Sequence, residues 1–194
     1  MKLITVMIPT RKRVGKLIAT LDQLTASATS RSYEIVVRID EDDHETIAAI
    51  QKIESHPFTE ARIGPRFGYA RLDSCYFAGM EDRARTEWVW VGGDDMLVYG
   101  DWITELRKVP NTGFIVQPEI SKLRTSVYPR AVGQAFPIFP RFCWKQFAKE
   151  FPRPFDSVGS ELLIANGWKT WFLEGVTMWH DREPDEVIAE HRKM

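Results

Sequence analysis

The sequence has few cysteines and almost no net charge. Its 194 residues include only Cys75 and Cys143, which lie far apart and among apolar residues. A disulfide framework is therefore not expected, and a reducing compartment fits this cysteine usage better. The 26 basic side chains nearly balance the 27 acidic ones, giving a formal net charge of -1. Composition thus gives no indication of a nucleic acid or an anionic membrane as partner.

The sequence also lacks a long apolar run. No stretch approaches the roughly 20 apolar residues that a membrane-spanning helix needs. The opening segment MKLITVMIPT is short and leads into a basic cluster, where a signal peptide would have a small-residue cleavage site. The hydrophobic content of 44% is that of a globular chain. We therefore expect a soluble cytoplasmic protein with one sizeable domain and no membrane span.

Apolar runs and helical spacings alternate along the first half of the chain. The runs predict strands, and the 3.6-residue spacing of apolar side chains between them predicts helices. The predicted strands are 3–8, 34–39, 61–63 and 88–91, and the predicted helices are 14–28, 46–53 and 69–83. This order predicts an α/β fold with a mostly parallel central sheet and helices on both of its faces.

The second half is less regular. Asp101 is predicted to cap a short helix that contains Trp102. Several prolines and glycines predict loops and edge strands over 120–140. The other predicted elements are strands at 113–116 and 168–179, a helix at 142–151, and a helix that opens at Asp156 or Ser157 and stops at Gly167.

The stretch WVWVGGDDM at 88–96 combines a buried strand with two adjacent acids. Its first four residues are large and apolar without polar alternation, which predicts a strand buried on both faces. Gly92 and Gly93 then permit close approach to the backbone. Asp94 and Asp95 follow at the carboxyl edge of the sheet, where ligands bind in open α/β folds. Two adjacent carboxylates repel each other unless a cation or a shared proton relieves them.

Two more polar clusters follow predicted strands, at 10–13 and 40–43. In a doubly wound sheet both would meet the pair at 94–95 on one edge. Carboxylates there would hold a cation and arginines would answer phosphate charge, which together suit a metal–diphosphate. The alternative is that each cluster is only a solvated end of a strand.

The ordered set of motifs resembles the GT-A glycosyltransferases, specifically the family-2 group of inverting, metal-dependent enzymes. The segments that carry the resemblance are VMIPTRKR, EIVVRIDEDDHET, RFGYAR, VWVGGDD and PFDSVGSELLIANGW. The resemblance covers nearly the whole chain. It implies a single GT-A-like domain over 1–194, with a nucleotide-sugar-binding half at 1–96 and an acceptor-side half at 97–194.

The resemblance also implies a set of binding residues. The expected partner is a nucleotide-diphosphate-sugar donor together with an acceptor that the sequence does not identify. The expected cofactor is Mn²⁺ or Mg²⁺, held by Asp94, Asp95 and His180. The implied donor-binding residues are Pro9, Thr10, Arg13, Asp40, Arg66, Gly68, Arg71, Gly93 and Asp94.

The catalytic base is expected in the late PFDS segment. Asp156 resembles the family's acidic residue at that place, and Glu161 on the same helix is the reserve candidate. Asp156 or Ser157 is alternatively just the helix N-cap. Trp102 is a candidate for stacking on an acceptor sugar.

Three departures from the family pattern matter. Gly92 replaces the first Asp of the family's D-x-D-D, Lys12 replaces an Asn, and Glu41-Asp42 replace a Gly-Ser. The loss of an acid at Gly92 leaves open a non-catalytic nucleotide- or sugar-binding module on the same scaffold. The letters GDD also occur in viral RNA-dependent polymerases, but 194 residues of alternating α/β do not supply the fingers and thumb of a polymerase.

Overall fold

A computed structural model describes residues 3–68, 86–110, 112–120, 137–142 and 163–180. The predicted helix at 69–83 lies outside these ranges. So do most of the predicted helix at 142–151 and most of the one that opens at Asp156 or Ser157. The strands are β1 (Ile4–Thr10), β2 (Tyr33–Asp40), β3 (Thr59–Gly64), β4 (Trp88–Val91), β5 (Met96–Tyr99), β6 (Phe114–Ile120), β7 (Ile138–Pro140) and β8 (Lys169–His180). The helices are α1 (Val14–Ala26), α2 (His44–Ala48), α3 (Ile50–Glu54) and α4 (Trp102–Leu106).

The eight strands form one mixed sheet in the order β3-β2-β1-β4-β7-β6-β8-β5. Only four of its seven pairings are parallel, so the prediction of a mostly parallel sheet is wrong. Three of the parallel pairings join β1 to β2 and β4 and β2 to β3, all in the first half of the chain. Beyond it, β7 pairs antiparallel with both β4 and β6. Strand β7 therefore lies inside the sheet, whereas edge strands were predicted for 120–140.

The parallel half has the burial that its sequence predicts. All four residues of β4 are buried, as are six of the seven in β1. Such strands are covered on both faces, which is typical of parallel sheets with helical crossovers. One cover is α1, whose Leu17, Leu21 and Leu24 are fully buried at helical spacing. The packing of these strands against α1 therefore fixes the positions at which β1 and β4 end.

Helix α1 also covers the edge strand β5. Gln23 Nε2 and Ser27 Oγ both donate to the carbonyl oxygen of Val98, at 2.9 and 2.6 Å. Among the described strands β5 is at the sheet edge, and these bonds satisfy one of its carbonyls, which protects that edge. Strand β5 was not predicted from the sequence.

Helix α4 confirms the predicted cap but corrects a predicted role. Asp101 accepts a hydrogen bond from the Thr104 amide at 3.2 Å. The Trp102 side chain is fully buried, its Nε1 donates to the Leu24 carbonyl at 3.3 Å, and its ring packs edge-on against Trp90. The prediction that Trp102 stacks on an acceptor sugar is wrong, because neither ring face is open.

Across the residues that the structure describes, no helix has the length and apolar character needed to cross a membrane.

Candidate active site at the carboxyl edge of the sheet

The carboxyl ends of β1, β2 and β4 meet at one edge of the sheet. Residue Thr10 pairs with Ile39, and the next residue of β2, Asp40, pairs with Gly64. On the other side of β1, Met7 pairs with Val91, after which the chain turns through the two glycines and two acids. The predicted convergence of the three polar clusters is confirmed.

Thr10, the last residue of β1, and Arg13, which follows the strand, hold the acidic pair. Thr10 Oγ1 donates to Asp94 Oδ2 at 2.7 Å. Arg13 Nη1 lies 3.2 Å from Asp94 Oδ1 and 3.2 Å from Asp95 Oδ2, so that one guanidinium nitrogen serves both carboxylates. The adjacent acids are thus partly neutralised within the protein.

The acidic pair lies in a poorly hydrated place. The side chains of Asp94 and Asp95 are 8% and 3% exposed. Burial, followed by the neighbouring Asp95 charge, raises the pKa of Asp94 to about 6, against the opposing effects of Arg13 and Thr10. An added cation would favour the charged form of this carboxylate.

Gly92 has a packing reason that the sequence does not show. Its amide donates to the Met7 carbonyl at 2.8 Å. A Cβ at this position would lie 3.0 Å from Met96 Cε and 3.1 Å from the Met7 carbonyl oxygen. An aspartate of the family's D-x-D-D pattern would therefore need β1 or Met96 to shift.

The acidic turn after β2 divides into parts with different surroundings. Asp40 is buried, and its Oδ2 accepts from Arg11 Nη1 at 3.1 Å. The exposed Asp42 pairs with the same guanidinium, whose Nη2 donates to Asp42 Oδ2 at 3.0 Å. Arg66, 58% exposed, lies 3.8 Å from Asp42. Arg11 therefore bridges the buried and the exposed acid, a role that sequence analysis missed.

Asp43 fastens two turns of the edge together. It accepts from the Lys12 amide at 2.6 Å and from the Thr46 amide and hydroxyl at 3.2 and 2.6 Å. Burial opposes ionisation of Asp43, but the hydrogen bonds from Thr46 and Lys12 prevail and lower its pKa. The spacing of Asp43 and Thr46 is that of an N-cap, a signal that could have placed the start of α2 correctly.

Lys12 has a left-handed backbone, with φ of 54°. Asparagine adopts this conformation more readily than lysine. The Asn that the resemblance implies at this position therefore has a conformational explanation. Lys12 takes up the same turn at some cost, and its amide is fixed by Asp43.

Arg38 is a second cation near Asp40 that the sequence did not reveal, and unlike Arg11 it is buried. Its Nη2 donates to the Pro65 carbonyl at 2.8 Å, and its Nη1 lies 4.0 Å from Asp40 Oδ1. A Cβ at Gly64 would lie 2.6 Å from that Nη2. The glycine therefore leaves the space in which Arg38 ties the end of β2 to the segment after β3.

The remaining predicted residues divide between described and undescribed parts of the chain. Pro9 pairs with Arg38 within the sheet, Gly93 is half-buried, and Gly68 has a φ of 79°. The β5–β8 register places the His180 backbone opposite Met96, the residue after Asp95. The predicted residues outside the described structure are Arg71, Asp156, Glu161 and the side chain of His180.

Asp94 and Asp95 fit a divalent cation as two of its ligands. Carboxylate oxygens suit Mg²⁺ and Mn²⁺, which accept sparse protein coordination when phosphates and water complete the shell. The raised pKa of Asp94 is consistent with a place that favours added positive charge. In the described ranges, no three His, Cys, Asp or Glu side chains are grouped so as to hold a metal ion.

The strand order and the acidic pair at the carboxyl edge define the class: the chain has a GT-A-like fold, as the sequence resemblance implied. Residues 1–349 of TarS from S. aureus match with a TM-score of 0.69 at 13% identity. The mannosyltransferase PcManGT from Pyrobaculum calidifontis, in complex with GDP-Man and Mn²⁺, matches with a TM-score of 0.72 at 18% identity. At such identity the likeness shows the fold alone.

The matched structures are longer than this chain. The TarS match covers 100% of this chain and 64% of that one, and the mannosyltransferase match covers 96% and 59%. TarS 1–349 is also known in complex with UDP and with UDP-GlcNAc. No protein-family model and no curated protein matches the sequence.

Proposed function

We propose that this protein is a glycosyltransferase that moves a sugar from a nucleotide-diphosphate-sugar donor to an acceptor hydroxyl, with inversion and with Mn²⁺ or Mg²⁺. One observation carries the proposal: Thr10 and Arg13 hold the buried Asp94–Asp95 pair at the carboxyl edge of a GT-A-like sheet. Paired carboxylates with arginine beside them suit the charge of a diphosphate.

The donor would lie along this edge, in the half formed by residues 1–96. Asp40 would accept a hydrogen bond from the base or ribose. Arg13 and Arg66, with Arg71, would face phosphate charge. Pro9, Gly68 and Gly93 would allow close approach of the donor to the backbone. The half at 97–194 would bind the acceptor.

The chemistry is a single in-line displacement at the anomeric carbon. Asp156 would take the proton of the acceptor hydroxyl as its oxygen bonds to that carbon and the bond to the diphosphate breaks. Glu161 is the reserve for this role. A divalent cation held by Asp94 and Asp95, with His180, would supply positive charge to the departing diphosphate. Attack opposite the leaving group inverts the anomeric centre.

Donor hydrolysis tests the proposal without a known acceptor, because water replaces the acceptor hydroxyl. UDP-GlcNAc and GDP-mannose are the substrates to try, with Mn²⁺ or with EDTA. We expect slow release of UDP or GDP from one donor with Mn²⁺ only. Asp156→Asn should slow this release at least about 100-fold while donor binding persists. If Glu161→Gln alone has this effect, the base is Glu161, and if neither variant slows release, the inverting mechanism is wrong.

A non-catalytic binding module is the second candidate, and the packing around Gly92 favours it. A glycine supplies no ligand, and there is little room there for the side chain that would. A module would bind nucleotides equally well in Mn²⁺ and in EDTA and would release no UDP or GDP. Metal-dependent release would exclude it.

A further inference from the structure

The Arg13 guanidinium lies beside the acidic pair, where its positive charge offsets the repulsion between the two carboxylates. Its Nη1 lies 3.2 Å from an oxygen of each of Asp94 and Asp95. The guanidinium side chain is 23% exposed, whereas the two carboxylates are nearly buried. A divalent cation approaching the same oxygens would therefore meet a positive charge already in contact with them.

We propose that Arg13 is an exchangeable counter-ion, which holds the Asp94–Asp95 pair when no donor is bound and moves to the donor's diphosphate when a divalent cation takes the carboxylates. This inference rests on the proposed function. It adds a positioning role that makes the cation and the donor depend on each other.

The charges of the cluster supply the reason for this coupling. Two carboxylates and one guanidinium carry a single net negative charge. A divalent cation alone would meet the positive charge of the guanidinium, and a diphosphate alone would face two carboxylates. When both bind, the guanidinium gains an anionic partner and the acids keep a cationic one. Because charges interact strongly where water is scarce, each ligand should raise the affinity for the other.

Two hydrogen bonds hold the backbone on either side of the Arg13 side chain. The preceding amide, that of Lys12, is held by Asp43 at 2.6 Å. The Arg13 carbonyl accepts from the Leu17 amide at 2.9 Å, in the first turn of α1. Exchange would therefore consist of rotations about the long arginine side chain.

Mn²⁺ titration of the full chain, followed by the electron paramagnetic resonance signal of free Mn²⁺, tests the exchange. Arg13→Gln should bind Mn²⁺ alone about tenfold more tightly than wild type, or better, because a competing charge is removed. With saturating Mn²⁺, the same variant should bind UDP or GDP about tenfold more weakly or worse, because a charged phosphate contact is lost. Arg13→Met should repeat both changes should the Gln variant fold poorly.

Two controls separate exchange from a general charge effect. Arg13→Lys keeps the charge and should keep Mn²⁺ affinity near wild type. Arg11→Gln makes the same change two residues earlier, at a side chain paired with Asp40 and Asp42, and should also leave Mn²⁺ affinity near wild type. The inference is overturned if neutral Arg13 variants bind Mn²⁺ no more tightly while the wild type binds Mn²⁺ with UDP or GDP. A wild type that binds none of the three overturns the proposed function as well.

Discussion

The turn after β1 carries conformational cost at one residue. Lys12 has a φ of 54°, in the left-handed region that asparagine adopts more readily than lysine. Lys12→Asn keeps the amide that donates to Asp43 and should raise the free energy of unfolding by a few tenths to about 1 kcal/mol. Chemical denaturation measures the change. Lys52→Asn makes the same substitution within helix α3 and should lower stability by about 0.5 kcal/mol or less. Equal effects at both positions would contradict the assigned cost.

Asp94 should make the metal-free protein less stable as pH rises. Its pKa is about 6 in the folded state against an ordinary 3.8, so between these values the folded state holds more protons than the unfolded state. The destabilisation by ionised Asp94 is therefore absent below about pH 4 and complete above about pH 6. Asp94→Asn lacks this titration, and its amide can still donate to Thr10 and accept from Arg13.

The measurement is the free energy of unfolding in EDTA at pH 4 and pH 7. Relative to wild type, Asp94→Asn should gain up to about 3 kcal/mol over that interval. Glu45→Gln, the same change at an exposed carboxylate, is the control variant. A pH-independent difference for Asp94→Asn would show that its carboxylate titrates normally.

At the scale of elements, β2 and β3 are joined through Arg38. Gly64→Ala would place a Cβ 2.6 Å from Arg38 Nη2, which is bonded to the Pro65 carbonyl. Displacing this buried guanidinium should cost about 1 to 3 kcal/mol. Gly15→Ala, in α1 with no atom within 4 Å of the added carbon, should instead gain about 0.5 to 1 kcal/mol. Thermal unfolding of both variants checks the opposite signs, and a neutral Gly64→Ala would refute the close contact.

How far the elements could be predicted depends on where their stabilising contacts come from. Strands β1, β2 and β4 could be predicted because each is a buried run whose own residues are β-formers. Strands β5 and β7 have four and three residues, and their places depend on distant partners such as β8. No local pattern records such pairing. The single helix predicted at 46–53 is divided at Ala49 into α2 and α3.

The same limit applies to the candidate site. Thr10, Asp40 and Asp94 could be found because each lies at or just after the end of an apolar run. Arg11 and Arg38 could not, because their partners Asp40 and Pro65 are 29 and 27 residues away in the sequence. Trp102 was misassigned, since the sequence gives an aromatic ring but not its burial.

At the scale of the whole molecule, the sheet brings the end of β8 back to the acidic pair. Strand β8 pairs with β5, which follows Asp95 directly, so the His180 backbone lies opposite Met96. The parallel half thus supplies the acids and arginines of the edge, and the mixed half returns a histidine to it. This arrangement belongs to a GT-A-like fold that TarS and PcManGT match at only 13% and 18% identity.

The central claim is that this edge binds a nucleotide-diphosphate sugar together with a divalent cation. The most direct measurement is the thermal unfolding of the full chain with UDP-GlcNAc or GDP-mannose, in Mn²⁺ and in EDTA. A donor at about 100 times its dissociation constant stabilises by about 2.7 kcal/mol, which is a shift of roughly 5 to 10 °C for a chain of this size. We predict that shift for at least one donor in Mn²⁺ but not in EDTA, and its loss in Asp94→Ala. No shift with either donor, or an equal shift in EDTA and in Asp94→Ala, would contradict the account.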